Sequence, residues 1–272
     1  MPRSSPLDIE IDLPEDLTGQ YGPVYVRVQQ LKDHDEQHPG TGIDNPAGMA
    51  RRVRAEAIRG SVQAQVLWGH LLLSGHGVDR DPEAAFRWFR IAAGTGDPDA
   101  LNMLGRCFEL GWGVETNAAR AAQYYQAAAN QGHAWAQFNL GSLMIHGQGA
   151  AQDYRGALTL FVKSARQGNE KAMNMLGRYR EEGWACRPKR SSAFRWYRRA
   201  AERGCFRGQF HYSRFLCADQ NIEAAAHWLR ASLAGAPSDF RREIVDALSN
   251  HPIDAIRQAA LDHSDQAATG TV

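Results

Sequence analysis

The sequence predicts an all-α protein built as a solenoid of about five helix-turn-helix repeats with a capping helix or helices at each end. Two observations support this fold class. From residue 64 onward the chain repeats with a period of 36 residues, and a period in this range is typical of solenoids. Within each period, apolar and small residues recur at helical spacing on both sides of a glycine pair. The residues that open successive periods are Ala64, Ala100, Ala136, Ala172 and Gly208.

The second period shows both predicted helices. The apolar and small residues of its first half are Ala100, Leu101, Met103, Leu104, Cys107 and Phe108, and those of its second half are Ala118, Ala121, Tyr124, Tyr125, Ala128 and Ala129. Between them lie Gly111 and Gly113, which suit a helix that ends in a left-handed residue followed by a tight turn. One helix pair cannot bury its apolar face alone, so neighbouring pairs are expected to stack.

These residues carry a family resemblance. The string from Ala100 to Ala136 resembles a Sel1-like repeat, a member of the tetratricopeptide-type helical repeats, through Leu104-Gly105, Gly111-Trp112-Gly113-Val114, Ala128-Ala129 and Gly132. The fifth repeat departs most, because Ser213 replaces the glycine and the loop near Ala218 is four residues shorter. The resemblance implies a right-handed α/α superhelix that binds other proteins as an adaptor, scaffold or regulatory subunit. It implies neither catalysis nor a cofactor.

The domain organisation follows from the period. Five repeats are predicted at 64–99, 100–135, 136–171, 172–207 and 208–236, with an N-terminal capping helix at 45–63 and C-terminal capping helices at 237–262. Caps are expected because the end of a solenoid otherwise exposes an apolar face. Residues 263–272 are predicted to be disordered. Residues 1–44 form an acidic segment in which Leu7 to Leu13 and Val24 to Val28 alternate, which predicts partly extended structure lacking a partner strand and lying along a groove.

Composition limits the class of function. The 272 residues contain 31 Lys and Arg against 30 Asp and Glu, a balance that argues against a general polyanion binder. The sequence has no apolar run long enough to span a bilayer and no apolar core of a signal peptide near Met1, so we expect a cytoplasmic protein. The four cysteines, Cys107, Cys186, Cys205 and Cys217, stand at unrelated repeat positions and are expected to be reduced.

Charge is unevenly distributed along the chain. Residues 1–36 contain eight acids and three bases, whereas residues 178–214 contain eleven bases and three acids. The basic stretch predicts a docking site for an acidic protein segment, from a partner or from this chain's own N-terminus, in which case the chain self-associates as a homo-oligomer. Its alternatives are an ordinary solvated helix face and, less favoured, a nucleic-acid surface. Its basic residues are Arg178, Arg180, Arg187, Lys189, Arg190, Arg195, Arg198, Arg199, Arg203, Arg207 and Arg214.

A finer pattern lies in the first helices of the repeats. Asn102 and Arg106 in the second repeat match Asn174 and Arg178 in the fourth, and each pair shares a helix face. Asparagine can hold a peptide amide and arginine a carboxylate, so the pattern predicts a peptide clamp. His70 and Arg214 occupy the arginine position in the first and fifth repeats. The alternative is that these residues make the surface soluble or bridge adjacent repeats.

Trp112 and Trp184 share one loop position and are candidate interface anchors, or they pack against the following repeat. The sequence contains no nucleophile elbow, Walker loop or zincin motif, and the glycine pairs follow helices rather than strands. His34 and His38 have helical metal-ligand spacing, but Pro39-Gly40 favours a solvated helix end. We therefore predict a non-enzymatic protein-binding module without metal, cofactor or membrane contact.

Overall fold

The computed structural model describes residues 7–11, 24–28 and 45–262 of the chain. The described residues contain thirteen α-helices and two short strands. The helices are α1 (Pro46–Ile58), α2 (Val62–Ser74), α3 (Pro82–Ala93), α4 (Pro98–Leu110), α5 (Ala118–Asn130), α6 (Ala134–His146), α7 (Tyr154–Arg166), α8 (Glu170–Glu182), α9 (Arg190–Glu202), α10 (Phe206–Ala218), α11 (Ile222–Ala234), α12 (Ser238–Leu248) and α13 (Asp254–Leu261). The even-numbered helices α2 to α10 are the first helices of the repeats, and α3 to α11 are the second.

The strands are β1 (Leu7–Ile11) and β2 (Val24–Val28), which pair antiparallel with Leu7 opposite Val28. The extended conformation of these residues agrees with their alternating pattern. The expectation that they lack a partner strand was wrong, because the two alternating segments supply each other's backbone partner. The remaining residues of 1–44, including His34 and His38, and the predicted disordered tail at 263–272 lie outside the described residues.

The helices pack as two compact units, Met1–His133 and Ala134–Val272. In the first unit, α1 packs on α2, and the pairs α2–α3 and α4–α5 form a core that includes Leu71, Phe89 and Leu104. In the second unit, α6 to α11 form three further pairs, and α13 covers α11 with Ile256 and Ala259 buried. No helix in the described part of the chain has both the length and the apolar character required to cross a bilayer.

A contact between glycine and an aromatic ring recurs in four repeats. Gly69 faces Phe89, Gly105 faces Tyr125, Gly141 faces Phe161 and Gly177 faces Tyr197. A Cβ atom at Gly69 would lie 2.5 Å from the Phe89 ring, and all four rings are fully buried. The glycine of the Leu-Gly motif is therefore required by the close approach of the two helices. The fifth repeat has Ser213 in place of the glycine and Leu229 in place of the aromatic residue. The larger residue on the first helix is thus accompanied by a smaller one on the second.

The predicted left-handed turn after the first helix is confirmed in the second repeat. Gly111 has φ of 75° and its N–H donates to the carbonyl oxygen of Cys107. Gly113 also has positive φ, and a Cβ atom there would overlap the carbonyl oxygen of Pro82 at the start of α3. Gly77 stands in the same relation to Pro46 at the start of α1. In both repeats of this unit, the loop between the two helices therefore rests on the backbone at the start of the helix that precedes the repeat.

Second helices of the first three repeats begin with a side-chain cap. Asp81, Asn117 and Asp153 each accept a hydrogen bond from a backbone N–H in the first turn of α3, α5 and α7, at 2.8 to 3.0 Å. Lys189 occupies the same position before α9 and makes no such bond, and the first turn of α9 has no acidic residue. A cation at this end of a helix opposes the helix dipole. The fourth repeat therefore departs from the capping pattern at a cost in stability.

We expect Lys189→Asp to raise the free energy of unfolding by about 1 kcal/mol, because it adds a capping acceptor and a charge that favours the helix N-terminus. Chemical denaturation followed by circular dichroism measures this change. Lys189→Ala is the control, since it removes the cation without adding an acceptor. An equal gain from both variants would show that the missing cap has no energetic consequence.

Candidate functional site

Three of the candidate residues lie inside the first unit. Asn102 and Arg106 on α4 and His70 on α2 are all buried, and Arg106 is only 5% exposed. Burial, followed by the nearby Arg106 charge, lowers the pKa of His70 to about 3. The imidazole is therefore neutral at physiological pH, and this group of residues is not presented to a partner on the surface of the unit.

The candidate arginines and loop tryptophans form pairs. The guanidinium carbon of Arg106 lies 4.5 Å from the centre of the Trp112 ring, and that of Arg178 lies 4.8 Å from the centre of the Trp184 ring. The first and third repeats have neither residue of the pair: they carry His70 with His76, and Ser142 with Gln148. This joint occurrence in the second and fourth repeats was the sequence signal that could have predicted the contact.

The sequence left open that Trp184 packs against the following repeat, but its aromatic neighbours lie in its own repeat and in the preceding one. The ring centre lies 5.5 Å from that of Tyr179 on α8 and 5.9 Å from that of Tyr154, the first residue of α7. Tyr154 belongs to the preceding repeat rather than the following one. Trp184 is half-buried between these rings and Arg178. The Arg178 guanidinium therefore lies over a ring that its neighbours hold in place.

The second unit places a group of polar side chains between α8, α9 and α10. A carboxylate oxygen of Glu181 accepts a hydrogen bond from the Tyr197 hydroxyl at 2.7 Å, and its other oxygen accepts one from Arg214 at 3.2 Å. Arg214 also lies 2.9 Å from Nδ1 of His211, whose ring stacks on Tyr197 at 4.7 Å between centres. This network joins two neighbouring repeats through one carboxylate.

Three arginines act on His211 of this network, and we call them the arginine cluster: Arg178, Arg207 and Arg214. Burial and then the charge of Arg214 lower the pKa of His211 to about 4, while Glu181 acts in the opposite sense and Arg178 and Arg207 lower it further. The imidazole is thus neutral at pH 7 and reports a positive local potential. The arginines could be selected from the sequence, but His211, Glu181 and Tyr197 could not, because their contacts depend on how adjacent repeats stack.

Two further residues shape this region. Arg207 is half-buried, with its guanidinium carbon 4.7 Å from the centre of the Phe206 ring, and burial lowers its pKa. Asn174 lies one turn before Arg178 on α8 and is 4% exposed. Its Oδ1 atom receives no hydrogen bond from the described residues. An unsatisfied buried acceptor costs roughly 1–3 kcal/mol.

The rest of the predicted basic stretch is divided among several elements. Arg190 forms a two-pronged ion pair with Asp219 at 2.6 and 3.2 Å, and Arg198 pairs with Glu202 at 2.7 Å. Arg199 stacks on Trp196, with its guanidinium carbon 5.0 Å from the ring centre. Arg180 is half-buried near the end of α8. Arg187, Lys189 and Arg195 are exposed, as are Arg190, Arg198 and Arg199.

Comparison with known proteins identifies the repeats. The family model described as Sel1 repeat matches residues 62–97, 98–133, 136–169, 170–205 and 208–234. A search of curated proteins gave no match. Among solved structures, a protective antigen present in uropathogenic Escherichia coli strains, which displays an SLR fold, is 29% identical over 82% of this chain and 49% of that chain, with a TM-score of 0.62. This chain therefore spans about half the length of that relative.

Two further structures support the fold. A Sel1 repeat protein from Oxalobacter formigenes is 22% identical, covering 82% of this chain and 96% of that chain, with a TM-score of 0.68. An immunity protein from Pseudomonas aeruginosa is 15% identical, covering 90% and 89%, with a TM-score of 0.51. The predicted all-α solenoid of helix-pair repeats is confirmed by these matches. This chain belongs to the Sel1 repeat family, of which it carries five repeats.

Proposed function

We propose that this protein is a non-catalytic interaction module that binds an acidic segment of another protein at the arginine cluster. Sel1 repeat proteins in general mediate protein–protein interactions. The observation that carries the proposal is that the charges of Arg214, Arg178 and Arg207 all act on one half-buried residue, His211, which Arg214 contacts directly. In this role the chain acts as an adaptor, scaffold or regulatory subunit, and a cytoplasmic location remains a prediction from the sequence.

The charge of the cluster favours an anionic partner. Glu181 is already engaged by Tyr197 and Arg214, so it does not neutralise Arg178 or Arg207. Burial is the main cause of the low pKa of His211, and the charges of Arg214, Arg178 and Arg207 lower this pKa further, since like charges disfavour protonation. A carboxylate placed among these groups would reduce their mutual repulsion. Such a field also steers acidic segments toward the surface and speeds association.

The Trp184 ring prepares Arg178 for this contact. A guanidinium that lies over an aromatic ring is attracted to the ring and has five N–H donors, more than this one contact can engage. Arg178 can therefore bind a carboxylate without giving up the tryptophan. Because the side chain is already held in place, less conformational entropy is lost when a ligand binds.

The buried position of Asn174 keeps it out of the proposed contact. The residue is 4% exposed and its Oδ1 atom is buried, so the proposed contact involves the arginines and not this amide.

Lys189 provides independent support for this assignment. Positions that depart from a local structural rule are often functional. Lys189 replaces a capping residue with a cation in the repeat that carries the Arg178–Trp184 pair. We infer that it adds to the positive field, and that Lys189→Asp therefore weakens partner binding although it stabilises the fold.

The test measures binding of a fluorescent peptide with the sequence of residues 6–17 of this chain, which contains five acidic residues. We expect the double variant Arg178→Gln, Arg214→Gln to lose at least tenfold in affinity, since one charge-assisted hydrogen bond contributes roughly 1.5–3 kcal/mol. The matched control is Arg195→Gln, Arg242→Gln, which removes the same charge from exposed positions of the same unit. Fluorescence anisotropy at constant ionic strength gives the affinities.

Two comparisons give the remaining outcomes. Equal losses in both double variants, or equal binding of a peptide with Asn and Gln in place of Asp and Glu, would contradict the proposal. Tighter binding of single-stranded DNA, with a steep salt dependence, would indicate the nucleic-acid alternative. A gain in peptide affinity on deletion of residues 1–44, together with loss of a dimer in gel filtration, would show that the natural occupant is the N-terminal segment of a second copy.

A further inference from the structure

A surface pocket of about 560 Å³ opens in the second unit at the ends of α7 and α9 and the start of α8, and no residue of the arginine cluster lines it. Its walls contain three arginines, one glutamate and three apolar or aromatic residues. These are Ala165, Arg166, Met173, Trp196, Arg199, Glu202 and Arg203. We propose that this pocket binds a phosphate monoester attached to an apolar group, with the phosphate on the arginines and the apolar group on Met173 and Trp196.

The net charge of the pocket is the first argument. Glu202 is already paired with Arg198, which lies outside the pocket, so it does not neutralise the three lining arginines. The C-terminal ends of α7 and α9 attract basic residues, but each helix end carries only about half a negative charge. The three positive charges of the guanidinium groups exceed the roughly one negative charge that the two helix ends supply together. The excess positive charge suits a dianion better than a single carboxylate.

The arrangement of donors is the second argument. The guanidinium carbon of Arg199 lies 5.0 Å from the centre of the Trp196 ring, and no described residue accepts a hydrogen bond from its N–H groups. No described carboxylate forms an ion pair with Arg166, Arg199 or Arg203. A phosphate monoester presents three terminal oxygens and close to two negative charges at neutral pH, whereas a carboxylate presents two oxygens and one charge. Three separate guanidinium groups match the phosphate.

Part of the pocket lining is apolar, which favours a ligand that carries an apolar group beside its phosphate. Trp196 is half-buried and supplies most of the exposed apolar surface of the pocket, because Ala165 and Met173 are each only 4% exposed. Inorganic phosphate alone would leave this tryptophan surface in contact with water. The volume lies within the range of small-molecule sites, roughly 300–1,000 Å³. An apolar or aromatic group next to the phosphate would fill this space and bury the wall.

The experiment titrates phenyl phosphate into the full-length protein, followed by tryptophan fluorescence and phosphorus NMR at constant ionic strength. We expect phenyl phosphate to bind at least tenfold more tightly than benzoate, and Arg199→Gln and Arg203→Gln each to lower its affinity about tenfold, as expected for loss of a charge-assisted hydrogen bond. Arg195→Gln, on the same helix but outside the pocket, serves as the control with the same charge change. Trp196→Phe should remove the fluorescence response.

Further ligands distinguish the sources of the phosphate. Stronger binding of a phosphoserine peptide than of phenyl phosphate would assign the pocket to a phosphorylated protein, and the reverse order would assign it to a small metabolite. Equal affinity for benzoate and phenyl phosphate, or an equal loss in Arg195→Gln and Arg203→Gln, would overturn the proposal. The proposal would also be overturned if Arg199→Gln and Arg203→Gln weakened binding of the acidic peptide of residues 6–17 but left binding of phenyl phosphate unchanged. The Arg178 variants test that other site and should not change phenyl phosphate binding.

Discussion

Gly69→Ser is expected to lower the free energy of unfolding by about 3 kcal/mol, at the upper end of the cost of overpacking a core. The added Cβ atom would lie 2.5 Å from the Phe89 ring, which is fully buried and cannot move into solvent. Adding Phe89→Leu should restore much of this loss, because the pair then matches Ser213 and Leu229 of the fifth repeat. Denaturant unfolding of the wild type, both single variants and the double variant measures the coupling.

The control for this cycle is Gly48→Ala on α1. A Cβ atom at Gly48 would have no neighbour closer than 3.9 Å, so the substitution should be neutral or stabilising by up to about 1 kcal/mol through helix propensity. Additive effects of Gly69→Ser and Phe89→Leu would show that the two positions are not coupled. In that case the sequence change in the fifth repeat would have another cause.

Acidification from pH 7 to pH 5 is expected to remove about 2 kcal/mol of stability through His70 alone, from its pKa of about 3 in the folded state and about 6.5 when unfolded. As the pH falls below 6.5, the unfolded chain takes up a proton that the folded protein cannot accept. The contribution is therefore present above pH 6.5 and is lost progressively toward pH 3. His211, whose folded-state pKa is about 4, adds a loss in the same direction that ends near pH 4.

Denaturant unfolding at several pH values tests this prediction. His70→Phe keeps a ring against Phe89, whose centre lies 5.5 Å from that of the imidazole, and removes the titrating group. The variant should depend less steeply on pH than the wild type between pH 7 and pH 5. Parallel curves for the two proteins would mean that His70 titrates alike in the folded and unfolded states.

The fold could be predicted from the sequence because its determinants are local. The 36-residue period, the helical spacing and the turn glycines each act within one repeat, as Gly111 illustrates. The Leu-Gly motif could be recognised from the sequence, but the reason for it became clear only from the ring that Gly69 faces. Caps are similarly local, and Asp81 and Asp153 bond within their own first turns.

The candidate site was harder to predict because depth and packing between repeats are not local properties. Helical spacing placed Asn102 beside Arg106, but charged residues are rarely buried, so this spacing alone did not predict that Arg106 is buried against Trp112. The Glu181 network with Tyr197 and Arg214 joins residues 16 and 33 positions apart. Its existence depends on the angle at which two helix pairs stack, which no pattern within a single repeat specifies.

The contact between Gly113 and Pro82 also constrains how this chain can change in length. Gly77 contacts Pro46 and Gly113 contacts Pro82. The loop glycine and the helix start that it contacts are therefore each shifted by one 36-residue period between the two repeats. Duplication or loss of a whole 36-residue cassette preserves both sides of this contact. A shorter insertion between the two positions would carry the glycine away from the helix start it rests on. Evolution of this array is therefore expected to proceed by whole repeats, with shortened units tolerated only near an end.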